Sequence, residues 1–244
     1  MIEIPSFNEL IEKSIVNNWD KDALTDFKGA TLQYHDVARK IEKLHIMFES
    51  SGVQRGDKIA LCGRNSSNWA VAFLATLTYG AVAVPILHEF TADQIHNIVN
   101  HSEAKLLFVG DYVATIIDQT KMPDLEGIIY IPDYSLVVSR TDKLTYAREH
   151  LNAMFGEKYP KFFRKEHVHY YREQSPEELA LINYTSGTTG FSKGVMIPYR
   201  AMWSNYDFAM TAVAKHIKKG DNVISILPMA HMYGLVYEFL YPLC

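Results

Sequence analysis

Four short apolar runs, Lys58–Cys62, Val82–Ile86, Lys105–Val109 and Ile128–Ile131, alternate with stretches carrying helix signals, and this alternation constrains the fold more than any other feature. After the leading lysine in two of them, each run is continuously apolar, as expected of strands buried on both faces of a sheet. Between the first two, Asn65 or Ser66 is placed to cap a helix over Asn68–Tyr79, which is apolar on most faces and stops at Gly80. Between the next two, Thr91 and Gln94 form a capping box. Strands separated by helices of about ten or more residues imply βαβ units. The expected class is therefore α/β, with mostly parallel sheets flanked by helices on both faces. In that architecture ligand loops gather beyond the carboxyl ends of the strands.

The remaining chain fills in around this frame. Ser6 with Glu9 opens a helix to about Trp19, with Phe7, Leu10, Ile11 and Ile15 apolar. Ala23–Phe27 and Thr31–Tyr34 read as two short strands joined at Lys28-Gly29. Val37, Ile41, Leu44 and Phe48 recur at helical spacing through His35–Ser51, and Gly52 follows as the terminator. Gly56 and Asp57 shape a turn, and Pro85 is expected at a strand edge. Pro198–Lys215 reads as a helix whose stripe of Met202, Tyr206, Met210 and Val213 belongs to the core. Val223–Leu227 reads as a further strand, ending in a loop that would flank the segment after Tyr184.

Asp133–Ser175 carries no strong period, and a surface helix around Leu144–Phe155 is all it predicts. His167 and His169 would point to one side of a strand, yet two imidazoles do not close a zinc site, so they read as solvated surface residues. The apolar run Leu235–Cys244 has no polar tail and is expected to be a cut inside a larger fold.

Composition excludes several classes. The 244 residues are 48% hydrophobic and 21% charged, enough to build a substantial core. A net charge of −4 gives no basic field for nucleic acid. The sequence contains no apolar run long enough for a transmembrane segment, and the N-terminus lacks the regions of a signal peptide. Two cysteines, Cys62 and Cys244, make no disulfide framework, so a cytoplasmic setting is expected, with peripheral membrane contact left open.

One stretch carries chemistry. Thr185-Ser-Gly-Thr-Thr-Gly-Phe-Ser-Lys-Gly194 lies between two apolar, strand-like runs, Leu179–Tyr184 and Gly194–Ile197, and contains no acid. Gly187, Gly190 and Gly194 allow backbone N–H groups to turn inward. The hydroxyls of Thr185, Ser186, Thr188 and Thr189 add donors, and Lys193 adds a mobile cation. Donors plus a cation without a competing carboxylate suit a polyphosphate. A Walker A loop is excluded, because Gly194 and Val195 follow Lys193 where Ser/Thr and a helix are required.

The stretch Tyr184–Val195 resembles the phosphate-loop signature of the acyl-adenylate-forming (AMP-binding) superfamily, which includes acyl-CoA synthetases, peptide-synthetase adenylation domains and luciferases. Thr31–Ile86 is similar to that superfamily's opening region, and Pro228-Met-Ala-His-Met-Tyr-Gly234 resembles its acyl-pocket segment. The resemblance implies that residues 1–244 are the N-terminal portion of the large adenylate-forming domain, without the remainder of that domain or the C-terminal mobile domain. It implies ATP, Mg²⁺ and coenzyme A as cofactor and substrates, with a fatty acid as acyl donor. Thr185, Ser186, Gly187, Thr188, Thr189, Gly190 and Lys193 would bind the ATP phosphates, with Lys193 stabilising charge and the Thr188 hydroxyl helping to hold Mg²⁺. His231, Tyr233 and Gly234 would line the acyl and adenylate region. The apolar "ISILPMAHMYGLVYEF" leans toward a long-chain fatty acyl-CoA synthetase; an aryl or short-chain acyl ligase and a peptide-synthetase-type domain are the alternatives. From another class, a non-catalytic ATP-binding module is the alternative. The 244-residue piece by itself is expected to be inactive.

Overall fold

The structure is a computed structural model, and it describes residues 5–185 and 193–244. The chain starts with α1 (Phe7–Asn17), the two-stranded antiparallel ribbon β1 (Asp22–Thr25) and β2 (Thr31–Gln33), and the long helix α2 (Tyr34–Ser51). Then β3 (Lys58–Cys62), α3 (Ser67–Tyr79), β4 (Val82–Ile86), α4 (Ala92–His101), β5 (Ala104–Val109), α5 (Asp111–Ile116) and β6 (Gly127–Tyr130) follow in strict alternation up to the last strand. The charged stretch adds β7 (Leu136–Ser139), α6 (Asp142–Glu149) and α7 (Leu151–Lys158). The chain returns to the sheet with β8 (Leu179–Thr185) and β9 (Lys193–Pro198), then α8 (Tyr199–Ala212). It ends in a π-helical stretch, Gly234–Leu240, continued by Tyr241–Leu243.

One seven-stranded sheet, ordered β7-β6-β5-β3-β4-β8-β9, organises the molecule. Its five inner strands are parallel, and only the outermost pairs, β6–β7 and β8–β9, are antiparallel. Strand alternation sorts the core into two layers. Ile59, Leu61, Phe108 and Leu181 face α1, α2, α3 and α8, whereas Ala60, Cys62, Val109, Ile182 and Tyr184 face α4 and α5. The expected α/β class, with helices on both faces, is what the chain adopts.

Local chemistry explains the boundaries. Ser66, not Asn65, caps α3 by accepting from the Trp69 N–H, and Thr91 and Gln94 complete their reciprocal box on α4. Gly52 and Gly80 terminate α2 and α3 in the left-handed region, at φ of 90° and 86°. Nearly all of α3 is buried, with the Trp69 and Phe73 rings stacked 5.5 Å apart, as expected of a helix apolar on most faces.

Several expectations need correction. Val223–Leu227 forms no strand: Ile224 and Ile226 are each 78% exposed. No strand pairs with it among the described residues, and side chains satisfy its backbone instead, the Glu238 carboxylate accepting from the Ile226 and Leu227 N–H groups. Pro85 is no strand edge but stands inside β4, opposite Leu61. The missing N–H is tolerated because β4 meets β8 through the single register pair Ala83↔Leu181. The Leu144–Phe155 region is two helices, with Leu144, Ala147 and Leu151 buried rather than lying on the surface. Apart from these corrections, the apolar run at residues 235–244 packs inward: Ser14 and Tyr34 donate to the Leu243 carbonyl at 2.6 and 2.8 Å.

His45 gives the fold a pH dependence. Its side chain is 12% exposed where α2 meets α3, and Nε2 lies 3.0 Å from the Ala75 carbonyl and 3.1 Å from Thr78 Oγ1. Burial pushes its pKa down from 6.5 to about 4, against the opposing pull of the Ala75 carbonyl. The unfolded chain therefore takes up a proton below pH 6.5 that the folded chain refuses until about pH 4. Stability falls as pH drops through that window, by up to about 2 kcal/mol between pH 7.5 and 5. Urea melts at the two pH values, with His45→Gln as the control, should show the slope in wild type and a flatter one in the variant.

Among the described residues no helix is long and apolar enough to cross a membrane, and no group of three His, Cys, Asp or Glu side chains is placed to hold a metal ion. His167 does not lie on a strand: it ends a 3-10 turn, Lys165–His167, half-buried against the rings of Tyr159 and Phe163, with its Nδ1 accepting from the Arg164 N–H, whereas His169 is exposed.

Candidate functional site

β8 and β9 form an antiparallel hairpin whose last register pair is Thr185↔Lys193. Both residues are exposed, at the carboxyl end of β8. Ser186, Gly187, Thr188, Thr189 and Gly190, and with them the Mg²⁺ expectation on Thr188, lie outside the described residues. What the structure defines is the pair of strand ends from which that loop springs. The two flanking strands are as expected, and the strand that starts at Lys193 differs from a P-loop, which runs into a helix.

Alternation along β8 decides what surrounds the loop. Leu181, Asn183 and Thr185 share the face carrying α3 and α8, and Asn183 Nδ2 donates to the Ala230 carbonyl at 3.0 Å. That bond ties the 228–234 segment to β8 two residues before Thr185. A second clamp comes from Asn65, in the loop after β3. Its Nδ2 donates to the Leu227 carbonyl at 2.8 Å and to Ser225 Oγ at 3.1 Å, while its Oδ1 accepts from the Met229 N–H at 2.8 Å. Sequence reading treated Asn65 as a cap candidate and missed its role as a bracket; an Asn beside a better capping serine was the available signal.

His231, Tyr233 and Gly234 are thereby carried on one short segment. His231 is exposed, and its Nδ1 accepts from the Tyr233 N–H at 3.2 Å. A neutral ring so engaged carries its proton on Nε2, which leaves that N–H to donate outward. Tyr233 is 55% exposed and its ring lies 4.6 Å from that of Tyr237. Gly234 is buried. A Cβ there would come within 2.5 Å of the Pro228 carbonyl oxygen and 3.0 Å of that of Leu227, so this glycine lets the last helix seat directly on the 227–228 backbone.

Beside this segment runs a crevice of about 430 Å³ of mixed lining, with Arg64, Asn65, His88 and Asp111 on the polar side and Val113 and Ile131 on the apolar side. It lies beyond the carboxyl ends of β3 and β5, whose following helices pack on opposite faces of the sheet. This is the topological switch point at which open α/β sheets take ligands. Two glycines in its wall, Gly63 and Gly110, approach so closely that a Cβ on Gly110 would meet the Gly63 Cα at 3.1 Å.

The sequence profile of the family described as AMP-binding enzyme matches residues 11–244. The chain belongs to the AMP-binding enzyme family. Long chain acyl-CoA synthetase 3 of Arabidopsis thaliana is 25% identical over 85% of this chain and 31% of its own length. The 4-chlorobenzoate–CoA ligase of an Arthrobacter species is 26% identical over 87% of this chain and 36% of its own. This AMP-binding family chain thus spans about a third of the length of those relatives. Among solved structures, the anthranilate CoA ligase AuaEII in complex with anthranoyl-AMP superimposes with a TM-score of 0.77 at 17% identity, over 98% of this chain and 43% of that one. That likeness establishes the fold the family member shares with it.

Proposed function

We propose that the full-length protein is an AMP-forming acid–thiol ligase, with residues 1–244 as the N-terminal portion of its large domain. The observation that carries the reading is the acid-free, donor-rich loop springing from Thr185 and Lys193 at the carboxyl end of β8, with the His231 segment bonded to the same strand through Asn183. In this reading a carboxylate oxygen attacks the α-phosphorus of MgATP and pyrophosphate leaves with the β–γ phosphates. The thiolate sulfur of coenzyme A then attacks the acyl carbon, and AMP leaves with the oxygen it received. The first step brings an anion toward a polyanion, so positioning and charge compensation dominate the barrier. Lys193, Thr185 and residues 186–190 would hold the leaving phosphates, and Mg²⁺ would enter bound to ATP, with Thr188 as the protein's candidate contact. His231 Nε2–H would orient the carboxylate, and Tyr233 would border the acyl group.

A long-chain fatty acid is the acyl donor we favour, because Ile224, Ile226, Leu227 and Tyr233 offer apolar surface on the segment leading into and around His231. A cytoplasmic location fits the two reduced thiols, Cys62 buried and Cys244 half-buried. The test is AMP and pyrophosphate release by the full-length protein with MgATP, coenzyme A and acids from acetate to palmitate plus benzoate. The account expects acid-dependent AMP, rising with chain length. A preference for benzoate would transfer the assignment to aryl acids, and ATP binding without acid-dependent AMP would leave only a nucleotide-binding module.

A further inference from the structure

Tyr184 stands one residue before the end of β8, and its side chain relates both strand ends of the hairpin to a helix on one face of the sheet. Tyr184 points into the layer formed by α4, where it is 4% exposed. Its ring lies under Gly194, its register partner on β9: a Cβ on Gly194 would fall 2.9 Å from the Tyr184 Cζ and 3.2 Å from Cε1. The ring therefore belongs to β8, one residue before Thr185, and packs on β9 one residue after Lys193. On its far side the hydroxyl lies 2.7 Å from Nδ1 of His101, the last residue of α4, and the two rings meet edge to face at 5.8 Å and 89°. Burial pushes the Tyr184 phenol up, so it stays protonated; it donates to Nδ1 when the ring carries its proton on Nε2, and accepts from Nδ1–H in the other tautomer.

We infer that His101 is a positioning residue for the phosphate loop, acting through the Tyr184 hydroxyl to fix the two strand ends at Tyr184–Thr185 and Lys193–Gly194. His101 itself is exposed and meets the hairpin through the Tyr184 side chain, so its contribution is to hold that ring against Gly194. Without the bond the ring is free to pivot, and the separation of the loop ends loosens. Strand ends whose spacing must be fixed on binding hold an anion between Thr185 and Lys193 more weakly, by the cost of that ordering. The inference rests on the loop's reading as an ATP-phosphate site.

The test uses the full-length protein, with MgATP affinity by calorimetry and KM for ATP and for the acid measured separately. His101→Ala and Tyr184→Phe are each expected to weaken MgATP binding and raise KM for ATP roughly three- to tenfold, the range of one part-buried hydrogen bond. The KM for the acid and the melting temperature of His101→Ala should stay near wild type. His101→Asn, whose side-chain amide reaches the Nδ1 position, should recover most of the affinity, whereas His101→Leu should not. Unchanged MgATP affinity in His101→Ala overturns the inference, as does equal weakening by Asn and Leu. Failure of the ligase reading looks different: wild type would show no acid-dependent AMP, and the calorimetric comparison would still decide the role of His101.

Discussion

Replacing Lys193 with alanine in the full-length protein is expected to lower acid-dependent ATP–pyrophosphate exchange by about 10²–10³-fold, the loss seen when one preorganised charge-stabilising donor is removed. The size follows from where the side chain sits. Lys193 is the first residue of β9, held opposite Thr185 by the hairpin ladder, so its backbone position does not depend on a ligand. Its ammonium is exposed, in a stretch without a single carboxylate, and can meet the charge that accumulates on the departing phosphates. Lys193→Arg should keep part of the activity, because the charge remains while a planar fork replaces a compact point donor. Thr185→Ala removes one neutral donor and is expected to cost only about tenfold or less. Steady-state exchange at saturating acid, with ATP varied, checks all three. Equal losses for Lys193→Ala and Thr185→Ala would mean that charge is not the dominant contribution.

Gly234→Ala is the second large effect, on structure first and activity second. The added methyl would face two backbone oxygens, those of Pro228 at 2.5 Å and Leu227 at 3.0 Å, neither of which can swing away as a side-chain end would. Either the last helix lifts or the 227–228 backbone moves, and overpacking of this kind costs about 3 kcal/mol at the upper end of its usual range. The Asn65 and Asn183 bonds hold Leu227, Met229 and Ala230 from the other side, so the displacement cannot spread evenly. His231 rides on that segment. The expected outcome is a lowered melting temperature together with a rise in KM for the acid that exceeds the rise in KM for ATP. An unchanged melting temperature would mean that the helix seats less closely on residues 227–228 than described.

How far the fold was legible in the sequence depends on whether its determinants are local. The strands β3 to β6 were readable because each is a continuous apolar run bracketed by caps and turn glycines within a few residues. β7 was not, since Leu136–Ser139 is short, half-buried and embedded in charged sequence. Val223–Leu227 has strand composition, yet strand formation needs a partner in space, and its backbone is engaged by Glu238 and Asn65 instead. The same division applies to the site. The donor-rich composition of residues 185–193 suits an anion, and the register of β8 and β9 places the two strand ends that flank it, Thr185 and Lys193. The neighbours that organise it are hydrogen bonds between residues 47, 83 and 164 positions apart, from Asn183 to Ala230, Tyr184 to His101, and Met229 to Asn65. No periodicity encodes such pairs, so the site's components were visible and its assembly was not.

The most direct measurement follows the oxygen. With fatty acid labelled by ¹⁸O in its carboxylate, MgATP and coenzyme A, attack at the α-phosphorus transfers one labelled oxygen to AMP, and the account predicts AMP enriched by a single ¹⁸O with unlabelled pyrophosphate. Label appearing in inorganic phosphate, with ADP as the nucleotide product, would place the attack at the γ-phosphorus and contradict it.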